Sequence, residues 1–389
     1  MDINTIRKET RGCKNKIFLN SAGSSLVPDP VFDRTISYLT EEARVGGYAL
    51  AYSSLEETEE FYTEAASLLN CNPENIAYMT SATDAYAKAI SSITFKEGDI
   101  ILTTDDDYVS NQLTFISLKK RVGVKIIRAV NLPNGDLDLV NFEQLVKEYQ
   151  PKLVALTHIP TSSGLVQDAE KVGEICQKYK IWYLLDACQS VGQLVVDVKK
   201  LKCDFLAATG RKFLRGPRGT GFLYVSDSAL QADLAPLFID MLGAKWTSEE
   251  DYELELTAKR FEFWESSIAG KLGLKEALKY ANAIGMANIE RYNAGLMAAF
   301  RVKLAAIKGL QLQDWGTQVS NILTFTMDHH TTDEISEHLK QHGVYFSISS
   351  KSSALIDFTR KNIESAIRLS PHYFNTPEEL EKVVTILNF

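Results

Sequence analysis

The sequence predicts an α/β fold: a seven-stranded, mostly parallel sheet in a large domain, helices on both of its faces, and a smaller C-terminal α/β domain. Three observations predict it. Short β-rich runs alternate with longer helical patterns through the middle of the chain, the order expected of βαβ units. Seven such runs occur: Ile76–Met79, Ile100–Leu102, Val124–Ala129, Leu153–His158, Ile181–Leu185, Phe205–Ala208 and Gly221–Val225. From Ala269 the text changes to AGKLGLKEALKYANAIGMANIERYNAGLMAAFRVKLAAI, whose apolar residues recur near every 3.6 positions.

The helices between the strand candidates, Asp84–Ile93, Asn111–Arg121, Asn141–Tyr149 and Asp168–Tyr179, are each long enough to cross over a parallel sheet. Gly285 is the expected break in the long helical stretch. We therefore expect a large domain over 16–285 and a small one over 286–389, with residues 1–15 packing near the latter. In the small domain we expect strands over Ile322–Met327 and Val344–Ile348, and a helix over Thr332–His342. The closing helix Pro377–Leu387 has Thr376 as N-cap with Glu379 three residues on, a capping-box pattern. The polar run Ser347–Ser353 reads as a mobile loop.

A chain of 389 residues, 45% hydrophobic and 24% charged, can bury a large core, and this composition excludes disorder, collagen and a coiled-coil rod. Acidic residues outnumber basic ones by 50 to 42, so the charge of −8 has the wrong sign for a general nucleic-acid partner, though not for a local pocket that takes a small phosphate. Five cysteines, Cys13, Cys71, Cys176, Cys188 and Cys203, form no Cys-x-x-Cys pair and suit no complete disulfide framework. The first residues lack the apolar core of a signal peptide, and no run approaches a membrane span. A cytoplasmic protein with no membrane partner is the expectation.

The chemistry gathers at strand ends. Asp186 closes the apolar run IWYLLD and should emerge at the carboxyl edge of the sheet, where open α/β folds place ligands. Lys212 follows 26 residues later, again just past a strand. Singly, the first reads as a structural cap and the second as a solvated loop charge. Together they supply what a pyridoxal phosphate site needs: an amine for the Schiff base and a carboxylate for the protonated pyridine nitrogen. Ser81, Ala82 and Thr83 stand between a strand and a helix and suit either a simple N-cap or a phosphate. Thr209 and Arg211 precede Lys212, and an arginine fork matches phosphate oxygens. Tyr108 offers a ring that can stack on a pyridine.

The run LLDACQSVGQLVVDVKKLKCDFLAATGRKFLRGPRGTGFLYV resembles the signature of the class V aminotransferases, fold type I pyridoxal phosphate enzymes that include cysteine desulfurases, C–S lyases, kynureninases and isopenicillin N epimerase-like proteins. The likeness extends through FLNSAGSSLVP, MTSATDAYAKA, DDDYVSN, THIPTSSG, RFEFWESSIAGKLGL and RLSPHYFNTPEELEKVV, nearly the whole chain. It implies Lys212 as the Schiff-base lysine, Asp186 as the pyridine-nitrogen partner, Tyr108 as the ring above the cofactor, and Gln189 as a hydrogen-bond partner of the cofactor's phenolic oxygen or of the Schiff-base region. By the same resemblance Ala82, Thr83, Thr209 and Arg211 form the phosphate cup, and Thr161 and His158 lie at the strand end beside Asp186. Arg368 grips the substrate's α-carboxylate, with Asn20 and Ala22 lying over it. Ser266 or Ser267 adds a phosphate contact from the second subunit of a homodimer. Gly46–Tyr48 is either part of the substrate entrance or a flexible turn.

One departure bears on the reaction. Cysteine desulfurases carry a mobile cysteine on the loop before the substrate arginine, whereas SISSKSSALIDFTRKNIESAIR has none. The resemblance then implies Cα deprotonation followed by C–S β-elimination from a cysteine-derived amino acid, giving pyruvate and ammonia. Transamination and epimerisation are the alternatives within the family, and a non-catalytic, cofactor-binding regulator is the alternative outside it.

Overall fold

The computed structural model describes residues 1–388. The large sheet is built from β1 (Ile76–Met79), β2 (Ile100–Thr104), β3 (Lys125–Ala129), β4 (Leu153–Thr157), β5 (Trp182–Asp186), β6 (Phe205–Thr209) and β7 (Gly221–Val225), in the spatial order β1-β7-β6-β5-β4-β2-β3. All seven fall on the predicted runs. Only β7 is reversed, pairing antiparallel with both β1 and β6. The carboxyl ends of the other six strands therefore open at one edge.

The strands are buried on both faces, as a helix-covered sheet requires. Ile76, Leu102, Val154, Leu156, Tyr183, Leu185 and Leu206 face one core, while Ala77, Ile101, Leu153, Leu184, Phe205 and Leu223 face the other. This period-2 division follows from the pleat. Helices α1 (Asp29–Val45), α2 (Leu55–Leu69), α3 (Ala82–Ser91), α4 (Val109–Val122), α5 (Leu139–Tyr149), α6 (Ala169–Tyr179) and α7 (Ile268–Ile284) belong to this part of the chain. Among the described residues no helix is long and apolar enough to cross a membrane.

Gly285, at φ 87°, ends α7 and begins α8 (Met286–Ala305); a side chain in that conformation would be strained. Beyond it a four-stranded antiparallel sheet forms from β8 (Leu310–Leu312), β9 (Leu323–Met327), β10 (Ser347–Ser350) and β11 (Ser365–Leu369), ordered β8-β9-β11-β10. α9 (Thr332–Gln341) and α10 (Pro377–Leu387) accompany α8 around its core, and the capping box on α10 is present.

Three local expectations change. The single strand expected over Val344–Ile348 is two: Val344–Tyr345 pairs in parallel with Ile17–Phe18, and β10 pairs with β11. Ile17 and Leu19 consequently pack in the core of the smaller sheet, although the sequence places them in the larger unit. The polar run Ser347–Ser353 is not a loop throughout, since its first four residues are β10 and the remainder a 3-10 turn. Its serines satisfy an edge strand because one face looks to solvent. Gly46, at φ 92°, separates α1 from a short helix over Gly47–Ser53, and Tyr48 is 76% exposed.

Candidate active site at the carboxyl edge of the sheet

The loops after β1, β2, β4, β5 and β6 converge on a cavity of about 230 Å³. Ala82, Thr83, Tyr108, Thr161, Asp186, Gln189, Thr209, Arg211 and Lys212 all line it. Each stands there because its strand has just ended, so the parallel run of the sheet delivers them to one place. Asn20, Ala22 and Arg368 do not line it. Ala22 and Arg368 are joined to its lining by hydrogen bonds, the Ala22 carbonyl with Gln189 and the Arg368 guanidinium with Thr161.

Asp186, the last residue of β5, is buried, and each of its oxygens has a donor: the Cys188 amide on Oδ1 at 3.0 Å and Asn111 Nδ2 on Oδ2 at 3.1 Å. Lys212 is also buried. Burial pushes its amine below the usual 10.5; Cys188 and Asp186 oppose the shift, and Arg211 and Arg368 add to it. Its Nζ stands 5.9 Å from the centroid of the Tyr108 ring. An amine, a fixed carboxylate and a ring face thus enclose one space.

Gln189 Nε2 donates to Thr161 Oγ1 at 2.9 Å and to the Ala22 carbonyl at 3.1 Å, while its Oε1 is buried without a partner. Thr161 also receives Arg368: Nη1 reaches its carbonyl at 3.0 Å and its Oγ1 at 2.7 Å. Arg368 Nε bonds Ser347 Oγ at 2.8 Å. Two of its three guanidinium nitrogens are therefore anchored on protein. Arg368 is buried, and desolvation followed by repulsion from Arg211 brings it down to about 10. It remains a cation at neutral pH. Asn20 pairs with Ser370, and its Oδ1 is buried without a partner.

At the N-terminus of α3, Ser81 caps the helix by accepting from the Asp84 amide at 3.1 Å, leaving the amides of Ala82 and Thr83 with no intrahelical acceptor. Thr209 Oγ1 lies 3.4 Å from the Thr220 carbonyl, and Arg211 Nη1 donates to the Gly23 carbonyl. Ser267 caps α7 through the Gly270 amide, at 3.0 Å. His158 is buried, and desolvation holds its imidazole down at about 4.

Sequence reasoning missed several residues here. In the sequence Asn111 stands only as the start of a helix and Asp107 carries no assigned role; Cys188, Thr157 and Arg218 also line the cavity. The Asp107 to Asn111 spacing of four, spanning the start of α4, was the one available signal.

A model of the class-V aminotransferases matches residues 17–383. The chain belongs to the class-V aminotransferase family. As a member it is a pyridoxal 5′-phosphate enzyme. It is 28% identical to a probable cysteine desulfurase of Methanothermobacter thermautotrophicus, covering 97% of this chain and 95% of that one. It is likewise 28% identical to a probable cysteine desulfurase of Pyrococcus abyssi, covering 98% and 96%. The apo structure of a cysteine desulfurase from Thermococcus onnurineus NA1 superposes with a TM-score of 0.91 at 25% identity, covering 100% of this chain and 98% of that one. The cystine C–S lyase C-DES, in complex with cysteine persulfide, shares the fold with a TM-score of 0.86 at 19% identity, covering 97% and 99%.

The residues of this class-V member fit the cofactor on their own chemistry. Lys212 Nζ has no hydrogen-bond acceptor among the described residues, the Ala82 and Thr83 amides are free at a helix N-terminus, and Gln189 Oε1 is an unpartnered buried acceptor beside the cavity. An aldehyde, a phosphate and a donor group would complete these three.

Proposed function

We propose that this enzyme is a C–S β-lyase that acts on a cysteine-derived amino acid and releases pyruvate, ammonia and a thiol or sulfide. In this reading Lys212 holds the cofactor, Asp186 its pyridine nitrogen, and Tyr108 its face. Gln189 takes the phenolic side, and Ala82, Thr83, Thr209 and Arg211 take the phosphate. Bound pyridoxal phosphate supplies an electron sink for the substrate's α-carbon. Arg368, anchored by Thr161 and Ser347, presents its remaining nitrogen to the α-carboxylate, with Asn20 and Ala22 alongside. Lys212 Nζ, once free, takes the α-proton, and its lowered basicity keeps more of it neutral at physiological pH. The Cβ–S bond breaks, the sulfur leaves as R–SH, and water converts the three-carbon remainder to pyruvate and ammonium. Atoms balance with one water per turnover.

The observation that carries elimination over sulfur transfer is the segment beside Arg368. Ser347 touches the arginine, and the stretch from Ser347 to Ala354 contains no thiol to receive sulfur. Cys188 does line the cavity, but burial and the neighbouring Asp186 push its thiol well above 9.0, which disfavours the nucleophilic thiolate. The desulfurase names of the relatives support cysteine or a cysteine derivative as substrate.

We further propose a homodimer in the cytoplasm. Leu237, Phe238, Met241, Trp246 and Leu256 are 66–82% exposed within one stretch of chain, an apolar surface that suits a second copy. The five unpaired cysteines support a reducing compartment.

The test uses holoenzyme with cystine, cysteine S-conjugates and cysteine plus a reductant, quantifying pyruvate, alanine and released sulfur. Pyruvate in step with thiol is expected. Alanine in step with sulfide would overturn elimination in favour of desulfuration. Lys212→Ala should lose both turnover and the borohydride-sensitive visible band.

A further inference from the structure

Asp107 and Asn111 form a hydrogen-bonded pair behind the cofactor groups. Asn111, buried on the first turn of α4, directs Nδ2 at two carboxylates, Asp107 Oδ1 at 2.9 Å and Asp186 Oδ2 at 3.1 Å. An amide NH₂ has two hydrogens, so one for each acid is the arrangement that satisfies both. It also separates two negative charges that would otherwise repel. Asp107 Oδ1 accepts in addition from the Tyr108 amide at 2.7 Å and from Thr157 Oγ1 at 2.5 Å. Its Oδ2 accepts from Gln112 Nε2 at 2.7 Å. With three N–H donors aimed at it, the carboxylate has an orientation set from several sides.

We propose that Asp107 and Asn111 are positioning residues for the cofactor: one oxygen, Asp107 Oδ1, fixes both the backbone that carries the Tyr108 ring and, through Asn111, the carboxylate of Asp186. The group that faces the cofactor ring and the group that meets its pyridine nitrogen are thereby held to a common point. Asp186 then has a plane determined by two donors, the Cys188 amide on one oxygen and Asn111 on the other. Neither Asp107 nor Asn111 needs to touch the cofactor. The inference rests on the roles of Asp186 and Tyr108 proposed above.

The test compares wild-type, Asn111→Ala, Asp107→Asn and Gln112→Ala holoenzymes. It reads the visible absorption band, its pH titration, its visible circular dichroism and the rate of cofactor release after gel filtration. Asn111→Ala and Asp107→Asn should each release cofactor about tenfold faster, the size of a lost hydrogen bond to a charged group. Both should shift the pH titration of the band. Asp107→Asn should in addition weaken the visible circular dichroism, because the Tyr108 amide then meets a neutral acceptor in place of a charged one. Gln112→Ala removes one donor to Asp107 and none to Asp186, so it should change all four readouts less than Asn111→Ala does. Should Asp107→Asn fail to fold, Asn111→Ala decides the matter alone, since alanine favours the helix it would occupy. Wild-type release rates and titrations in Asn111→Ala would overturn the inference. A wild-type protein with no borohydride-sensitive band would instead fault the reading of the site, so the two failures are distinguishable.

Discussion

The guanidinium of Arg368 combines two demands that usually conflict, deep burial and a lasting charge. Thr161 and Ser347 take two of its nitrogens, so desolvation is offset by hydrogen bonds and the group stays cationic up to about 10. Truncation to alanine should raise KM for α-carboxylate substrates by about tenfold or more, the range expected for a charge-assisted hydrogen bond. Steady-state kinetics with one substrate checks this, and an unchanged KM and kcat would remove Arg368 from the site. The sign of the pH dependence follows. Its carboxylate grip should persist across neutral pH and weaken only as pH rises through about 10.

Two helical glycines predict opposite outcomes from the same substitution. A Cβ on Gly173 in α6 would lie 1.9 Å from the carbonyl oxygen of Leu201, a backbone atom that cannot rotate away. Gly173→Ala should therefore lower Tm, with overpacking of about 1–3 kcal/mol exceeding the gain in helix propensity of about 1 kcal/mol. Gly295 in α8 meets nothing within 4 Å. Gly295→Ala should raise Tm, by at most about 1 kcal/mol of stability. Thermal denaturation of the two variants side by side tests whether close packing of helix on chain, rather than propensity, governs these elements.

Across the whole molecule, His372 joins parts that lie far apart in sequence. Its Nε2 meets the Phe213 carbonyl at 2.7 Å, one residue past Lys212, and its Nδ1 meets Asn293 Nδ2 at 3.2 Å. A carbonyl on one side and an amide NH₂ on the other select the neutral ring, and burial holds its pKa well below 6.5. As pH falls below the ordinary histidine value, the unfolded chain binds a proton that the folded chain refuses, so stability is lost toward acid. The loss grows as pH falls further below 6.5. Asp106, raised to about 6 by burial, has the opposite slope, since its folded form binds the proton more readily. The contribution of His372 is therefore isolated by difference. His372→Gln should flatten the decline of Tm between pH 7.5 and 5.5 relative to wild type, and parallel curves would show that the imidazole does not titrate against folding.

The sequence by itself determined the sheet. Seven short runs bounded by turn residues, with helical patterns between them, read as the strands of a covered sheet, and Asp186 and Lys212, at and just past the carboxyl ends of two of them, fall at its open edge. The helix break at Gly285 and the cap at Thr376 were legible for the same reason, because their signals lie within a few residues of each other. Tertiary structure alone decided what depends on separate segments meeting. The split between Val344–Tyr345 and β10 required Ile17–Phe18 and β11 as partners, neither of which is adjacent in sequence. The link from Asp107 through Asn111 to Asp186 spans 79 positions, from 107 to 186. Hydrogen bonds of this kind are set by distance and direction in space, and no local pattern of residues carries either.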